Sequence, residues 1–393
     1  MRLRMGLVGP GFVGAHHVDA VRRLGDVDVV ALAASSETSA RRKAEAWHVP
    51  KAYGDYRQLV TDREVDVVHV TTPNHLHAPV IAAALAQGKH VISDKPLARS
   101  AGEAARLLEL AREADVVHAV TFNYRGNPLV QQARVMVERG DIGTVHFVHG
   151  QYLQDWLLHA TDYSWRLDPS QGGESSAIGD IGSHWFDLVQ HVAGQRIVAV
   201  LADLATVVST RLKPASSPEA FARADADGRE PVTVTSEDLA SILLRFDGGA
   251  RGCVSVGQVC AGHKNDCWFE VSGREASLRW RQEAQNTLWI GRRDAANMAL
   301  PKDPSLMAAD AAPYAHLPGG HQEGWSDAFR NVMADIYRVI ATPDRRAVTA
   351  GLSPAMATFE DGWRVMTVVD AVLDSHRRGG VWTAVPATMG VTR

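Results

Sequence analysis

The sequence predicts an α/β protein in two parts: an N-terminal doubly wound parallel sheet, then an α+β domain built on an antiparallel sheet. Three observations carry this. A glycine-rich turn, Gly9-Pro10-Gly11-Phe12-Val13-Gly14, follows a buried strand pattern and opens a helical one. Short apolar runs then alternate with helical segments as far as Phe122, as parallel strands joined by crossover helices do. From Val145 the hydrophobic period changes to two, the mark of strands with one buried face.

The 393 residues, 46% apolar and 22% charged, suffice for two cores. A formal net charge of -4, with no basic run interleaved with aromatics, gives no electrostatic footprint for nucleic acid. No apolar stretch reaches membrane-spanning length and the N-terminus enters a strand pattern at once, so no membrane partner and a cytoplasmic location are expected. Cys253, Cys260 and Cys267 suit neither a disulfide framework nor a zinc site, and are expected as buried thiols on adjacent strands.

Leu3 to Val8 is predicted as the first strand, and the turn leads into a helix over Ala15 to Leu24. In G-x-G-x-x-G, Gly9 permits the tight turn, Gly11 lets a pyrophosphate approach the backbone, and Gly14 allows close helix packing. N–H groups at the helix start, around Phe12 and Val13, then hold the phosphates. The turn therefore predicts a dinucleotide. Strands over Val29 to Ala33, Val65 to Val70, His90 to Ser93 and Val116 to Phe122 alternate with helices over Thr38 to Trp47, Leu76 to Gln87 and Ala101 to Ala114.

Ligands on such sheets sit beyond the strand carboxyl ends. Those ends carry Ser35-Ser36, Thr71-Thr72-Pro73-Asn74, Asp94-Lys95-Pro96 and Asn123-Tyr124-Arg125. The acidic residue that usually takes the NAD ribose, about 20 residues past the glycines, is absent, because the second strand ends Ala33-Ala34-Ser35-Ser36. Ser35 or Ser36 with Arg41 or Arg42 would donate to a 2′-phosphate, or serve as turn, cap and solvated helix face, so NAD and NADP both stay open.

In the second part, strands are predicted over Val145 to Tyr152, Ile197 to Ser209, Leu239 to Phe246, Ala250 to Gln258, Cys267 to Ser272, Ala276 to Trp280 and Thr287 to Ile290. Asp247-Gly248-Gly249 and Ser272-Gly273 are hairpin signals, and the set implies a sheet of about six or seven strands. Its uncovered face predicts a homodimer or homotetramer. Leu212 to Pro231 is expected as a surface loop, Arg292 to Gly320 as a long excursion, and Ser326 to Ile340 and Pro354 to His376 as helices.

Asp180 and His184 stand four positions apart where a helical pattern begins, so one helix face would present both to a small substrate. A capping Asp with an ordinary helix histidine is the plain alternative. Asp180, His184, Asp187 and His191 share roughly one stripe, but a metal site there would leave the dinucleotide half without purpose, so no metal is expected.

Taken together, Gly9-x-Gly11-x-x-Gly14, Thr72-Pro73-Asn74-x-x-His77, Gly88-Lys89-His90-Val91, Asp94-Lys95-Pro96 and Asp180-x-x-x-His184 resemble the glucose–fructose oxidoreductase / inositol dehydrogenase / rhizopine catabolism protein (Gfo/Idh/MocA) family. The resemblance implies a Rossmann domain over residues 1–122 and a substrate-binding and oligomerisation domain over 123–393, with a large open, mostly antiparallel sheet. It also implies that Lys95 acts with Asp180 and His184, and that the Lys95-Pro96 bond is cis. Asp94 departs from the family's usual Glu, which puts its contacts in doubt more than the site. The segments Gln151 to Leu157 and Trp165 to Asp168 are most similar to the levoglucosan and glucoside 3-dehydrogenase branch.

Oxidising a secondary alcohol needs a base, a hydride acceptor and a cation for the developing alkoxide. On this reading His184 is the base, Asp180 orients the site and Lys95 holds the alkoxide. Tyr124, Gln154, Trp165, Arg166 and His321 are the candidates for sugar recognition. Without a dense Lys/Arg cluster, a neutral sugar, anhydrosugar, glycoside or cyclitol is expected. The resemblance leaves two other classes open, an NAD-dependent glycoside hydrolase using transient oxidation and a non-catalytic cofactor-sensing regulator.

Overall fold

The computed structural model describes residues 2–214, 228–342 and 355–389. The chain divides into two compact units, one of residues 1–123 with 325–363, the other of 124–324 with 364–393. The segment that begins at Trp325 groups with the first unit.

The first unit follows the expected order, β1 (Leu3–Val8), α1 (Phe12–Arg22), β2 (Val27–Ala33), α2 (Glu37–Ala46), β3 (Lys51–Tyr53), α3 (Tyr56–Thr61), β4 (Val67–Val70), α4 (His77–Ala86), β5 (His90–Ser93), α5 (Ala101–Ala114) and β6 (His118–Val120). Its strands pair in parallel in the order β3-β2-β1-β4-β5-β6. The order reverses between β1 and β4, where such sheets bind ligands. β3 and α3 escape prediction because three and six residues carry no readable period. The helix Trp325–Ala341 belongs here through three ring contacts: Trp325 with His16, Phe329 with His17, and Tyr337 with His69.

The second unit begins with α6 (Pro128–Glu138), which sequence periodicity did not suggest; Asn127 caps it and Pro128 stands in its first turn. β7 (Val145–Leu153), α7 (Pro169–Gly172) and α8 (Ser183–Ala193) follow. The remaining strands are β8 (Ile197–Ala205), β9 (Thr210–Lys213), β10 (Glu230–Thr233), β11 (Leu239–Phe246), β12 (Arg251–Gly257), β13 (Asp266–Gly273), β14 (Ser277–Arg281), β15 (Thr287–Gly291), β16 (Met298–Pro301) and β17 (Thr383–Ala384). Among the described residues nine strands form one sheet, β16-β15-β14-β13-β7-β12-β11-β8-β17, rather than six or seven. Every neighbouring pair is antiparallel except β7 and β12. α8 lies almost wholly buried, and Trp185 Nε1 donates to the Trp268 carbonyl of β13 at 2.9 Å.

Four expectations need correction. The ends of the Leu212 to Pro231 stretch are not loop: β9 and β10 pair as an antiparallel ribbon, and the fully buried Arg211 anchors β9 by donating to the carbonyls of Leu157, His159 and Asp162 and pairing with Asp238. Residues 215–227 lie outside the described residues. Arg292 to Gly320 is not a free excursion, since it supplies β16 and is pinned by the buried Lys302–Glu323 ion pair at 2.6 Å. The cysteines are free, but Cys253 on β12 and Cys267 on β13 are separated by β7, and only Cys267 is fully buried. The last helix spans Phe359–Arg377, and Pro354 lies outside the described residues.

Candidate active site

In the first unit the glycine turn is built for a close visitor. Gly9 has φ +95°, and a Cβ there would lie 2.8 Å from the Thr71 backbone. A Cβ on Gly14 would stand 2.7 Å from the Gly9 carbonyl, whereas one on Gly11 would meet nothing within 4 Å. Gly14 therefore serves internal packing, while the backbone at Gly11 faces open space. No side chain caps α1, and Thr71 Oγ1 ties the turn to β4 by donating to the Gly9 carbonyl at 2.7 Å. Thr71 was not among the predicted binding residues.

Ser35 and Ser36 are exposed; Ser36 Oγ caps α2 by accepting from Ser39 N at 3.2 Å, and Arg41 pairs with Glu37 at 2.9 Å. Thr72, Pro73 and Asn74 lead into a short 3-10 turn before α4. His77 is buried with Nδ1 2.8 Å from the Pro96 carbonyl and Nε2 2.9 Å from the Thr72 carbonyl, so it joins the two loops that follow β4 and β5. Burial lowers its pKa, against the nearby charge of Asp94. Asp94 Oδ1 accepts from Thr121 Oγ1 at 2.9 Å, and the half-buried Lys95 precedes a cis peptide bond to Pro96, as the resemblance implied.

In the second unit Asp180 is not a helix cap. It sits in a π-helical turn, Ile178–Gly182, and His184 occupies the first turn of α8, whose N-cap position, Gly182, makes no side-chain bond. The two residues therefore belong to different helical forms, a common arrangement at functional sites. The turn is anchored by Glu237, whose Oε1 accepts from Ser175 Oγ, Ser176 N and Ile178 N at 2.7, 3.0 and 2.9 Å. Burial pushes the Glu237 carboxyl up, and these donors pull it back.

Asp180 accepts from Arg166 Nε at 3.2 Å and from Gln258 Nε2 at 2.9 Å. Arg166 in turn stacks on Trp165, its guanidinium carbon 4.6 Å from the ring centroid. Trp165, Arg166 and Asp180 are thus one assembly, and the arginine's nearest anion is the protein's own. His184 is 8% exposed and packs T-shaped against Tyr124 with centroids 5.1 Å apart. Burial raises the pKa of Tyr124 and Tyr152, and the Asp180 charge adds to both, so carboxylate, imidazole and phenols share one neighbourhood. Gln154 and Tyr124 are buried and bonded to Asn265. His321 stands elsewhere, exposed on a cavity of about 410 Å³ whose lining includes neither Asp180 nor His184.

The stripe of Asp180, His184, Asp187 and His191 is divided: Asp187 takes a two-pronged bond from Arg125 at 2.8 and 2.5 Å, and His191 Nε2 lies 3.1 Å from Gln131. Gln258, Glu237 and Asn265 were missed; each is polar within or beside an apolar strand pattern, with no motif to single it out.

A dinucleotide-shaped turn in one unit and a carboxylate–imidazole cluster in the other define the class, an oxidoreductase with a nicotinamide nucleotide cofactor. Residues 3–122 match the oxidoreductase family with NAD-binding Rossmann fold, and residues 130–279 match the GFO/IDH/MocA C-terminal domain. Levoglucosan dehydrogenase of Pseudarthrobacter phenanthrenivorans is 31% identical over 399 residues, covering 98% of each chain. Levoglucosan dehydrogenase in complex with NADH and L-sorbose superimposes with a TM-score of 0.85 at 28% identity, covering 98% of this chain and 100% of that one. An inositol dehydrogenase homolog complexed with NAD+, from Azotobacter vinelandii, does so with 0.85 at 27%, covering 98% and 97%. The chain belongs to the Gfo/Idh/MocA family of oxidoreductases.

Proposed function

We propose that the protein oxidises a secondary hydroxyl of a neutral sugar, anhydrosugar, glycoside or cyclitol, with His184 as general base. The observation that carries the neutral class is the Trp165–Arg166–Asp180 assembly, which commits the cluster's cation to the protein's own carboxylate. Relatives whose structures hold L-sorbose or levoglucosan support the same class.

The nucleotide supplies a hydride acceptor when bound. The residues that would hold it are Gly9, Gly11, Phe12, Val13 and Gly14 at the turn, with Ser35, Ser36, Arg41, Thr72, Pro73, Asn74, His77 and Asp94 along the strand ends. NAD is favoured over NADP, because Glu37 places a carboxylate beside Arg41 and opposes a 2′-phosphate. His184 takes the hydroxyl proton, since imidazole both accepts and returns a proton near neutrality. Asp180, fixed by Arg166 and Gln258, orients the hydroxyl, and Lys95 supplies positive charge for the alkoxide. Formation of NADH at 340 nm with levoglucosan, glucosides and inositols is the test. No absorbance change across the panel with NAD or NADP refutes the proposal.

A further inference from the structure

Beside His184, five side chains of the second unit are linked by hydrogen bonds, three of them in a closed ring that proton transfer alone does not require. Tyr124 Oη lies 2.7 Å from Tyr152 Oη, Tyr152 Oη 2.6 Å from Asn265 Oδ1, and Asn265 Nδ2 3.2 Å from Tyr124 Oη. Gln154 Nε2 reaches the same Asn265 oxygen at 3.0 Å, and Trp156 Nε1 reaches Gln154 Oε1 at 2.9 Å.

The direction of every bond follows from one residue. An indole N–H only donates, so Trp156 holds Gln154 with its oxygen toward the indole and its NH₂ toward Asn265. Asn265 must then turn its oxygen to Gln154 and its NH₂ to Tyr124. Tyr152 uses its single proton on Asn265, which leaves Tyr124 as the donor between the two phenols. All three donors of the ring run the same way round: Tyr124 to Tyr152, Tyr152 to Asn265, Asn265 to Tyr124. Rings of this kind polarise each member in turn. Tyr124, Tyr152 and Gln154 are buried, and burial pushes both phenols up from an ordinary value that already keeps them protonated at neutral pH.

We propose that Asn265 is a positioning residue of the reaction, closing a one-way hydrogen-bond ring with Tyr124 and Tyr152 that holds the Tyr124 ring against the His184 imidazole. Tyr124 lies T-shaped to His184 at 60°, and Tyr152 flanks both, its centroid 6.1 Å from the Tyr124 ring and 6.3 Å from the imidazole. The Tyr124 proton is committed to Tyr152, so Tyr124 fixes the plane of the base instead of donating to the sugar. Asn265 is itself held by its backbone N–H, which donates to Glu283 Oε1 at 2.8 Å. The inference rests on His184 being the base.

Two variants test it. Tyr152→Phe keeps the aromatic ring and opens the circuit; Asn265→Leu removes its hub. Each is expected to lower kcat by roughly 10- to 100-fold, as misplacement of a catalytic group does. KM is expected to stay within about two-fold, because no substrate contact is lost. The double variant should be no worse than the poorer single one, since the ring acts as a unit. Independently of turnover, the protein labelled with ¹⁵N-histidine reports the His184 titration, its signal assigned by loss in His184→Gln. The midpoint is expected to move in both variants, and the acid limb of kcat/KM with it. An unmoved midpoint with unchanged kcat overturns the proposal, as does a rise in KM alone, which would make Asn265 or Tyr124 a sugar contact. If the native enzyme oxidises no sugar yet the midpoint moves, the dehydrogenase reading falls and the ring's hold on His184 stands.

Discussion

The core of the first unit buries a hydrogen-bonded chain of three titratable groups, and its response to acid can be worked out in advance. His17 Nδ1 on α1 lies 2.9 Å from His69 Nδ1 on β4, and His69 Nε2 lies 2.9 Å from the Tyr337 hydroxyl. Both imidazoles are fully buried. Burial lowers the His69 pKa from 6.5 to about 3 and holds His17 well below its ordinary value. A base whose pKa is lowered by folding binds fewer protons in the folded state, so its contribution is complete above pH 6.5 and is lost as pH falls toward 3. At ~1.36 kcal/mol per unit, lowering the pH from 7 to 4.5 costs the first unit about 2.7 kcal/mol through His69 alone. His17 adds to the loss. Replacing the whole chain with His17→Leu, His69→Leu and Tyr337→Phe removes every partner together, which leaves no orphaned polar group and keeps stability near native at pH 7. Hydrogen exchange of peptides from β4, measured against urea at pH 7 and 4.5, reads this unit alone. The native protein should lose at least ~2 kcal/mol more than the triple variant, a difference in which the carboxylates common to both cancel. Equal losses in the two proteins would refute the reasoning.

Four further outcomes follow from particular contacts. Arg125→Met should destabilise the second unit by about 3–5 kcal/mol, because Asp187 stays buried without its cation, and adding Asp187→Leu should restore most of it in denaturant titrations. Gly11→Ala should fold normally but bind NADH at least ~10-fold more weakly by fluorescence titration, whereas Gly14→Ala, with its Cβ 2.7 Å from the Gly9 carbonyl, should cost roughly 1–3 kcal/mol in unfolding. Arg166→Leu should lower kcat/KM by about 10-fold or more, with Arg166→Lys recovering only part, since an ammonium restores the charge without the planar stack on Trp165. Light scattering should show a homodimer or homotetramer, with self-association weakened by Phe147→Glu and Leu243→Glu on the exposed sheet surface.

Some of this site is readable because its signals are local. Gly9, Gly11 and Gly14 announce themselves by spacing after a strand, and α5 and β5 lie where their periodicity puts them. Asp180 and His184 are adjacent enough in sequence to be picked out together. Their setting is not: Gln258 reaches Asp180 across 78 residues, and Asn265 reaches Tyr152 across 113. Nor does anything in Trp165-Arg166-Leu167 reveal that Arg166 pairs with Asp180.

By itself, then, the chain determined its parallel nucleotide-binding sheet and its strand-rich second part, because each depends on spacing within one turn, strand or helix. Only the tertiary structure decided that the helix Trp325–Ala341 packs with the first unit, that a buried glutamate anchors the Asp180 turn, and that one indole sets the direction of a hydrogen-bond ring beside His184. Those outcomes depend on which distant polar groups find one another once the core is closed. An apolar period records the burial of a strand face, but it carries no mark of the partner a single buried amide will meet.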